Sequence, residues 1–148
     1  MKKTLSFYLL FVMLSTSLFS QEVTFETAEL LFSKQEYSAA QNQYLTLLEE
    51  GSDTDLLVYR IANCSKKLNN TDAIFWYNSF LNEHSYSDYY QLAIVDLSYI
   101  YFSNQNYLKV SQLLTKLTDS KLKDDEFHFK IGFSMFSVDQ LDDAKYHL

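Results

Sequence analysis

The residues that could carry catalysis or bind a metal are few and scattered. His84, His128 and His147 are the three histidines, and Cys64 is the only cysteine. His128 and His147 could approach each other on a helix pair, but zinc needs three or four protein ligands. No serine has the strand–turn–helix context of a nucleophile elbow. The sequence therefore predicts no metal site, no cofactor and no catalytic site.

Acidic residues are concentrated at two places where helices are predicted to begin. Asp124, Asp125 and Glu126 form the first group, and Asp142 and Asp143 form the second. Carboxylates near a helix N-terminus stabilise the helix dipole. We assign them this structural role, which explains the pattern more simply than acid–base catalysis does.

The overall charge limits the classes of partner. The chain has 12 basic and 19 acidic residues and a net charge of −7. Such a chain repels phosphate backbones and has no basic face for anionic lipid. We therefore expect no nucleic-acid partner. With one cysteine, no internal disulfide can form, so packing must supply the stability.

The first 20 residues predict a secretory signal peptide. Lys2 and Lys3 give a basic start, an apolar run follows from Leu5 to Leu14, and small polar residues end at Ser20. This order is typical of a cleaved leader, and the apolar run is shorter than the roughly 20 residues of a membrane span. The alternative is an uncleaved membrane anchor. Cleavage would leave residues 21–148 with a net charge near −9, because two lysines are lost.

The elements that would position any site are predicted to be helices. The chain has no proline and only two glycines, Gly51 and Gly132, whereas sheets and irregular folds need more turn residues. Apolar residues recur at helical spacing in the ranges 21–33, 37–50, 54–68, 73–81, 89–103 and 107–117. From Phe127 to Leu148 two short helices are predicted, with a turn at 137–139. Gly51 is expected to end one helix and Asp53 to cap the next.

This two-helix outline recurs along the chain. Similar segments begin near Gln21, Thr54, Gln91 and Asp125, so their starting points are nearly evenly spaced. A period of about 34 residues with two helices per unit is typical of tetratricopeptide repeats. The chain resembles that family in its small residues midway along each first helix and its pattern of small and large residues on each second helix. The matching residues include Ala28, Tyr37, Ala40 and Tyr44; Ala62, Ala73, Tyr77 and Phe80; Ser98, Tyr107, Val110 and Leu114; and Gly132, Leu141, Ala144 and Leu148.

The resemblance implies an all-α fold, an α-α superhelix (tetratricopeptide solenoid) of about four helix-turn-helix repeats, the last incomplete. The repeats would lie near 21–53, 54–90, 91–124 and 125–148. None has the family's usual early tryptophan or closing proline, and a generic helical bundle is the alternative. Because repeat arrays normally end in a capping helix, we expect the chain to be an N-terminal fragment of a longer array.

The resemblance also implies a binding surface, because the family holds peptide segments on the concave face formed by the first helices. The residues at those positions are Phe25, Glu29, Phe32, Tyr59, Asn63, Lys66, Val95, Tyr99, Phe102, Phe129, Phe133 and Phe136. Some family members clamp a partner's carboxylate with basic and amide side chains. Those positions hold Phe25, Glu29, Leu92 and Asp96 here, so this clamp is not predicted.

The sequence thus predicts an exported tetratricopeptide scaffold for protein–protein interaction in the cell envelope, in the periplasm or at the outer membrane, and not an enzyme. The expected partner is a protein or peptide segment. Membrane contact is expected only through the signal peptide before cleavage. One alternative is an accessory domain of a larger envelope enzyme that binds glycan or peptide. A second alternative is a spacer.

Overall fold

The chain folds into helices that pack in sequence order. The structure is a computed structural model that describes residues 23–52, 54–118 and 124–138. These ranges contain seven α-helices and no strand, which confirms the all-α prediction for this part of the chain. Each helix packs mainly against the next one. The helices are α1 (Phe25–Ser33), α2 (Tyr37–Glu49), α3 (Asp55–Lys67), α4 (Ala73–Glu83), α5 (Tyr90–Ser103), α6 (Tyr107–Leu114) and α7 (Asp125–Ser137).

Two predictions fall outside the described residues. They are the signal peptide of residues 1–20 and the last predicted helix, which begins after Val138.

Polar side chains cap four of the helices. The Thr24 hydroxyl accepts a hydrogen bond from a backbone N–H of α1, and Thr27 completes a capping box with it. Thr54, Asn106 and Asp124 accept equivalent bonds at the starts of α3, α6 and α7. Each cap satisfies a backbone donor that has no partner within its helix. Thr54, rather than the predicted Asp53, provides the cap of α3; Asp53 lies outside the described residues.

The turns inside the first three helix pairs share one backbone geometry. Gln35, Asn69 and Gln105 have φ values of 64°, 56° and 58°. Each donates its backbone N–H to the carbonyl three residues earlier, on Phe32, Lys66 and Phe102 respectively. Successive turn residues are separated by nearly one repeat period. Gly51, at φ 91°, ends α2 as predicted, and this conformation suits glycine because it has no Cβ.

The core consists of two clusters of buried side chains. One joins α1, α2 and α3 around Tyr44, Leu57 and Ile61, and the larger one extends from α3 to α7 around Tyr77 and Phe80. Burying a large apolar side chain contributes about 1.5–3 kcal/mol. The helix pairs are therefore held together as one packed body.

Small residues recur midway along every second helix. Ala28, Ala62, Ser98 and Gly132 are all buried, midway along α1, α3, α5 and α7. Short side chains at such positions let helix axes approach closely. Long side chains also make contacts between α1 and α3, between α3 and α5, and between α5 and α7.

Candidate functional site

The contacts between alternate helices follow one rule. In each contact, a charged residue of one helix lies against an aromatic or charged residue near the C-terminal end of the helix two places before it in the chain. We call the three contacts Phe32–Arg60, Lys66–Asp96 and Phe102–Lys130 the cross-helix ladder. Phe32, Lys66 and Phe102 follow one another at nearly one repeat period, and so do their partners Arg60, Asp96 and Lys130. The ladder therefore runs through the positions at which the sequence predicts a binding groove.

In the first contact Arg60 is held from two sides. Its Nε and Nη2 atoms donate to the two carboxylate oxygens of Glu29, at 2.7 and 2.9 Å. Its guanidinium carbon lies 4.5 Å from the centroid of the Phe32 ring. The Tyr44 hydroxyl donates to the same carboxylate. A bidentate pair with a cation–π contact fixes Arg60 firmly, so Glu29 and Phe32 are used within the fold.

The second contact is centred on one carboxylate. Lys66 Nζ forms an ion pair with Asp96 Oδ1. The hydroxyls of Tyr59 and Tyr77 both donate to Asp96 Oδ2 at 3.1 Å. Asp96 thus joins α3, α4 and α5, and three donors compensate for its partial burial.

In the third contact the cation is Lys130. Its Nζ lies 4.0 Å from the ring centroid of Tyr99 and 5.9 Å from that of Phe102. The Glu126 carboxylate, one turn earlier on α7, is 2.7 Å away. An aromatic pair and a carboxylate thus form a site that holds an ammonium group.

The structure divides the twelve predicted groove residues into two groups. The nine residues of the first group are used within the fold. Phe32, Lys66 and Phe102 belong to the cross-helix ladder, and Glu29 and Tyr99 contact its cations Arg60 and Lys130. Tyr59 is buried in the core, whereas Phe25 and Val95 are half-buried and pack against it, and the Asn63 amide donates to the backbone carbonyl of Tyr59. The second group is the exposed one, and it consists of Phe129, Phe133 and Phe136.

These three phenylalanines form the α7 aromatic face. Phe129 is 59% exposed, Phe133 39% and Phe136 58%. Phe133 is anchored by edge-to-face contacts with Phe102 and Tyr107, at centroid distances of 5.9 and 5.4 Å. Residues four and three positions apart lie on one side of a helix, so the rings share one surface. Contiguous exposed aromatic surface marks an interaction site.

Arg60, Asp96 and Lys130 were not predicted from the sequence as site residues. These residues supply the later-helix charges of the ladder, but no local motif marks them. The only signal is that they recur with nearly the repeat period, which becomes informative once the helices are known to lie in parallel register.

A cleft adjoins the second ladder contact. It has a volume of about 360 Å³ and lies between the α3–α4 turn and the end of α5. Its lining residues are Lys66, Asn69, Asn70, Thr71, Ala73, Ile74, Tyr99, Ile100, Ser103 and Asn104. The ammonium group of Lys66 is already paired with Asp96, and the apolar side chains of Ala73, Ile74 and Ile100 lie in the lining beside its amides and hydroxyls.

The candidate metal-binding side chains are not brought together. The rings of His84 and His128 lie against different phenylalanines, Phe80 and Phe127, and His147 is outside the described ranges. Within 23–52, 54–118 and 124–138, no three His, Cys, Asp or Glu side chains could hold a metal ion together.

Cys64 is fully buried in the first core cluster. Burial raises the pKa of its thiol to about 12, because a thiolate loses its hydration there. We expect Ellman's reagent to leave Cys64 unmodified at pH 8 in native protein and to modify it completely in guanidinium. Rapid labelling of protein that keeps its native circular dichroism would contradict this burial.

None of the helices in the described part of the chain is both long and apolar enough to cross a bilayer.

Comparisons with known proteins give no assignment. No protein-family model matches the chain, and no curated protein matches it significantly.

Proposed function

We propose that this chain is an exported tetratricopeptide-type superhelix that binds another protein, in the periplasm or at the outer membrane. The single observation that carries the proposal is the α7 aromatic face, where three exposed phenylalanines lie together on one side of one helix. Aromatic side chains are enriched in protein interfaces because they bury much area at low entropic cost. The supporting architecture is the series of stacked helix pairs.

Two regularities support the superhelix. The same left-handed turn residue recurs at Gln35, Asn69 and Gln105, and the cross-helix ladder recurs between the helices that precede those turns. A constant step from one helix pair to the next is what builds a solenoid. Both regularities repeat with a period close to the one expected for this family.

The chemistry of the face favours a protein surface over a glycan. Sugars need hydrogen-bonding partners for their hydroxyls beside any stacking ring, whereas this face consists of phenylalanine rings. Its acidic neighbours Asp125 and Glu126 lie at one end of α7. An apolar surface with charge at its rim is typical of a protein interface.

Photo-crosslinking tests this function. We would place a benzophenone amino acid at Phe129 in the full chain, expressed in a Gram-negative envelope, and irradiate living cells. The matched control is Phe75 on α4, which is 63% exposed but lies away from the face. We expect one discrete product from position 129 that Phe136→Ser removes, and no such product from position 75. The same products at both positions, or none at 129, would overturn the proposal.

A further inference from the structure

Two rings of the α7 aromatic face, Phe133 and Phe136, repeat the spacing of the internal ladder. Phe133 follows Tyr99, and Phe136 follows Phe102, by one repeat period. Tyr99 and Phe102 hold Lys130 from the following helix. At the equivalent place on α1, Glu29 and Phe32 hold Arg60. Phe133 and Phe136 are therefore exposed residues whose counterparts on α1 and α5 each hold a cation.

We propose that the α7 aromatic face docks a helix of a separate protein, and that this helix inserts an arginine or lysine between Phe133 and Phe136. The inference rests on the proposed function, because it specifies the partner of the same face. The partner helix would lie beside α7 as α7 lies beside α5, with apolar residues around the cation.

Charge favours a basic partner. The chain carries a net charge of −7, and Asp125 and Glu126 are exposed at the N-terminal end of α7. Opposite charge on a partner speeds encounter and fixes orientation. A cation between two aromatic rings gains about 0.5–2 kcal/mol, with more when water is excluded.

A second copy of this chain fits the face less well. If α1 of another copy stacked on α7, the residue at the place of Arg60 would be Glu26, which precedes Arg60 by one repeat period. Its carboxylate would meet the negative faces of two phenylalanines. The ladder therefore favours a partner helix other than α1 of another copy.

Helix-stabilised model peptides test the inserted cation. We would titrate the full chain with stapled amphipathic peptides that differ only at the centre of their apolar face, which carries Arg, Lys, norleucine or Glu. We expect the Arg and Lys peptides to bind about 3- to 10-fold more tightly than norleucine, from the cation–π contribution, and the Glu peptide to bind most weakly.

The control separates ring recognition from general charge attraction. Phe136→Leu keeps an apolar side chain at an exposed position but removes the aromatic ring, so it should bind norleucine nearly as before and lose the preference for Arg. Phe75→Leu should change neither affinity. If the Arg preference survives Phe136→Leu unchanged, or if norleucine binds as tightly as Arg to the unmodified chain, the inserted cation is wrong.

The outcomes distinguish this inference from the proposed function. A crosslink at Phe129 with no peptide preference leaves the docking face in place and overturns only the cation. If the crosslink is absent and no peptide binds, both proposals fail. Sedimentation of the protein alone tests whether a second copy binds the face. A dimer that Phe136→Leu dissociates would assign the face to self-association and contradict the proposal of a separate partner protein.

Discussion

Replacing Asp96 with alanine should lower the free energy of unfolding by about 3 kcal/mol, because one carboxylate serves three donors. Removal leaves the hydroxyls of Tyr59 and Tyr77 without their acceptor and Lys66 without its counter-ion. Buried polar groups that lose their partner cost about 1–3 kcal/mol each, and broken buried ion pairs cost about 3–5 kcal/mol. We use the lower end because Lys66 can turn toward solvent. Urea unfolding followed by circular dichroism measures the change.

The control and the rescue make this prediction specific. Asp72→Ala removes an exposed carboxylate that makes no capping bond, so it should change stability by about 0.5 kcal/mol or less. Adding Tyr59→Phe and Tyr77→Phe to Asp96→Leu removes the unpaired hydroxyls and should recover about half of the loss. If Asp96→Ala costs no more than Asp72→Ala, Asp96 does not hold the three helices together.

Raising the pH above 10 should destabilise the protein steeply through three buried tyrosines. Burial raises the pKa of Tyr59 to about 12 and the pKa of Tyr44 and Tyr77 further, because a phenolate loses its hydration in the core. In the unfolded chain these hydroxyls lose their protons near pH 10. Above that pH the folded state binds more protons than the unfolded state. From pH 10 the free energy of unfolding should therefore fall by about 1.4 kcal/mol per pH unit for each tyrosine, and the buried Cys64 thiol should add a similar slope from about pH 9.

Two measurements check the predicted loss of stability at alkaline pH. Stability curves at pH 8, 10 and 11 give the slope, and Tyr59→Phe should reduce it by about 1.4 kcal/mol per unit below pH 12. Absorbance at 295 nm follows phenolate formation among the 12 tyrosines. The buried three should ionise only together with the loss of helical signal. Ionisation of all 12 near pH 10 in protein that stays helical would contradict the prediction.

The helices were largely predictable from the sequence because their signals are local. The periodic apolar residues predicted α2 from Tyr37 to Glu50, and the helix ends one residue earlier, at Glu49. The acidic group at 124–126 predicted the start of α7, and Asp124 caps it. The first helix was predicted from Gln21, whereas it begins at Phe25, because Thr24 and Thr27 form the capping box there.

The candidate site was less predictable because it depends on register between helices that are distant in sequence. Counting positions selected Tyr59 as a groove residue, but its ring stacks on Tyr89 at 5.1 Å and lies in the core. From the sequence, Asp96 was noted only as an acidic residue at a position where some family members clamp a carboxylate. Its partners Lys66 and Tyr59 are 30 and 37 residues away, and no local pattern connects them. Phe129 and Phe136 are exposed, but their exposure depends on what packs around α7, which no local pattern indicates.

The chemical differences among the ladder contacts restrict how this chain can gain or lose helix pairs by recombination. If the α3–α4 pair were deleted, Asp96 would take the place of Arg60, with its carboxylate beside Glu29 and over the Phe32 ring. If that pair were duplicated, Arg60 of the second copy would meet Lys66 of the first. Each event creates a junction of like charges. Losing or duplicating the α3–α4 pair would therefore weaken the contacts between alternate helices.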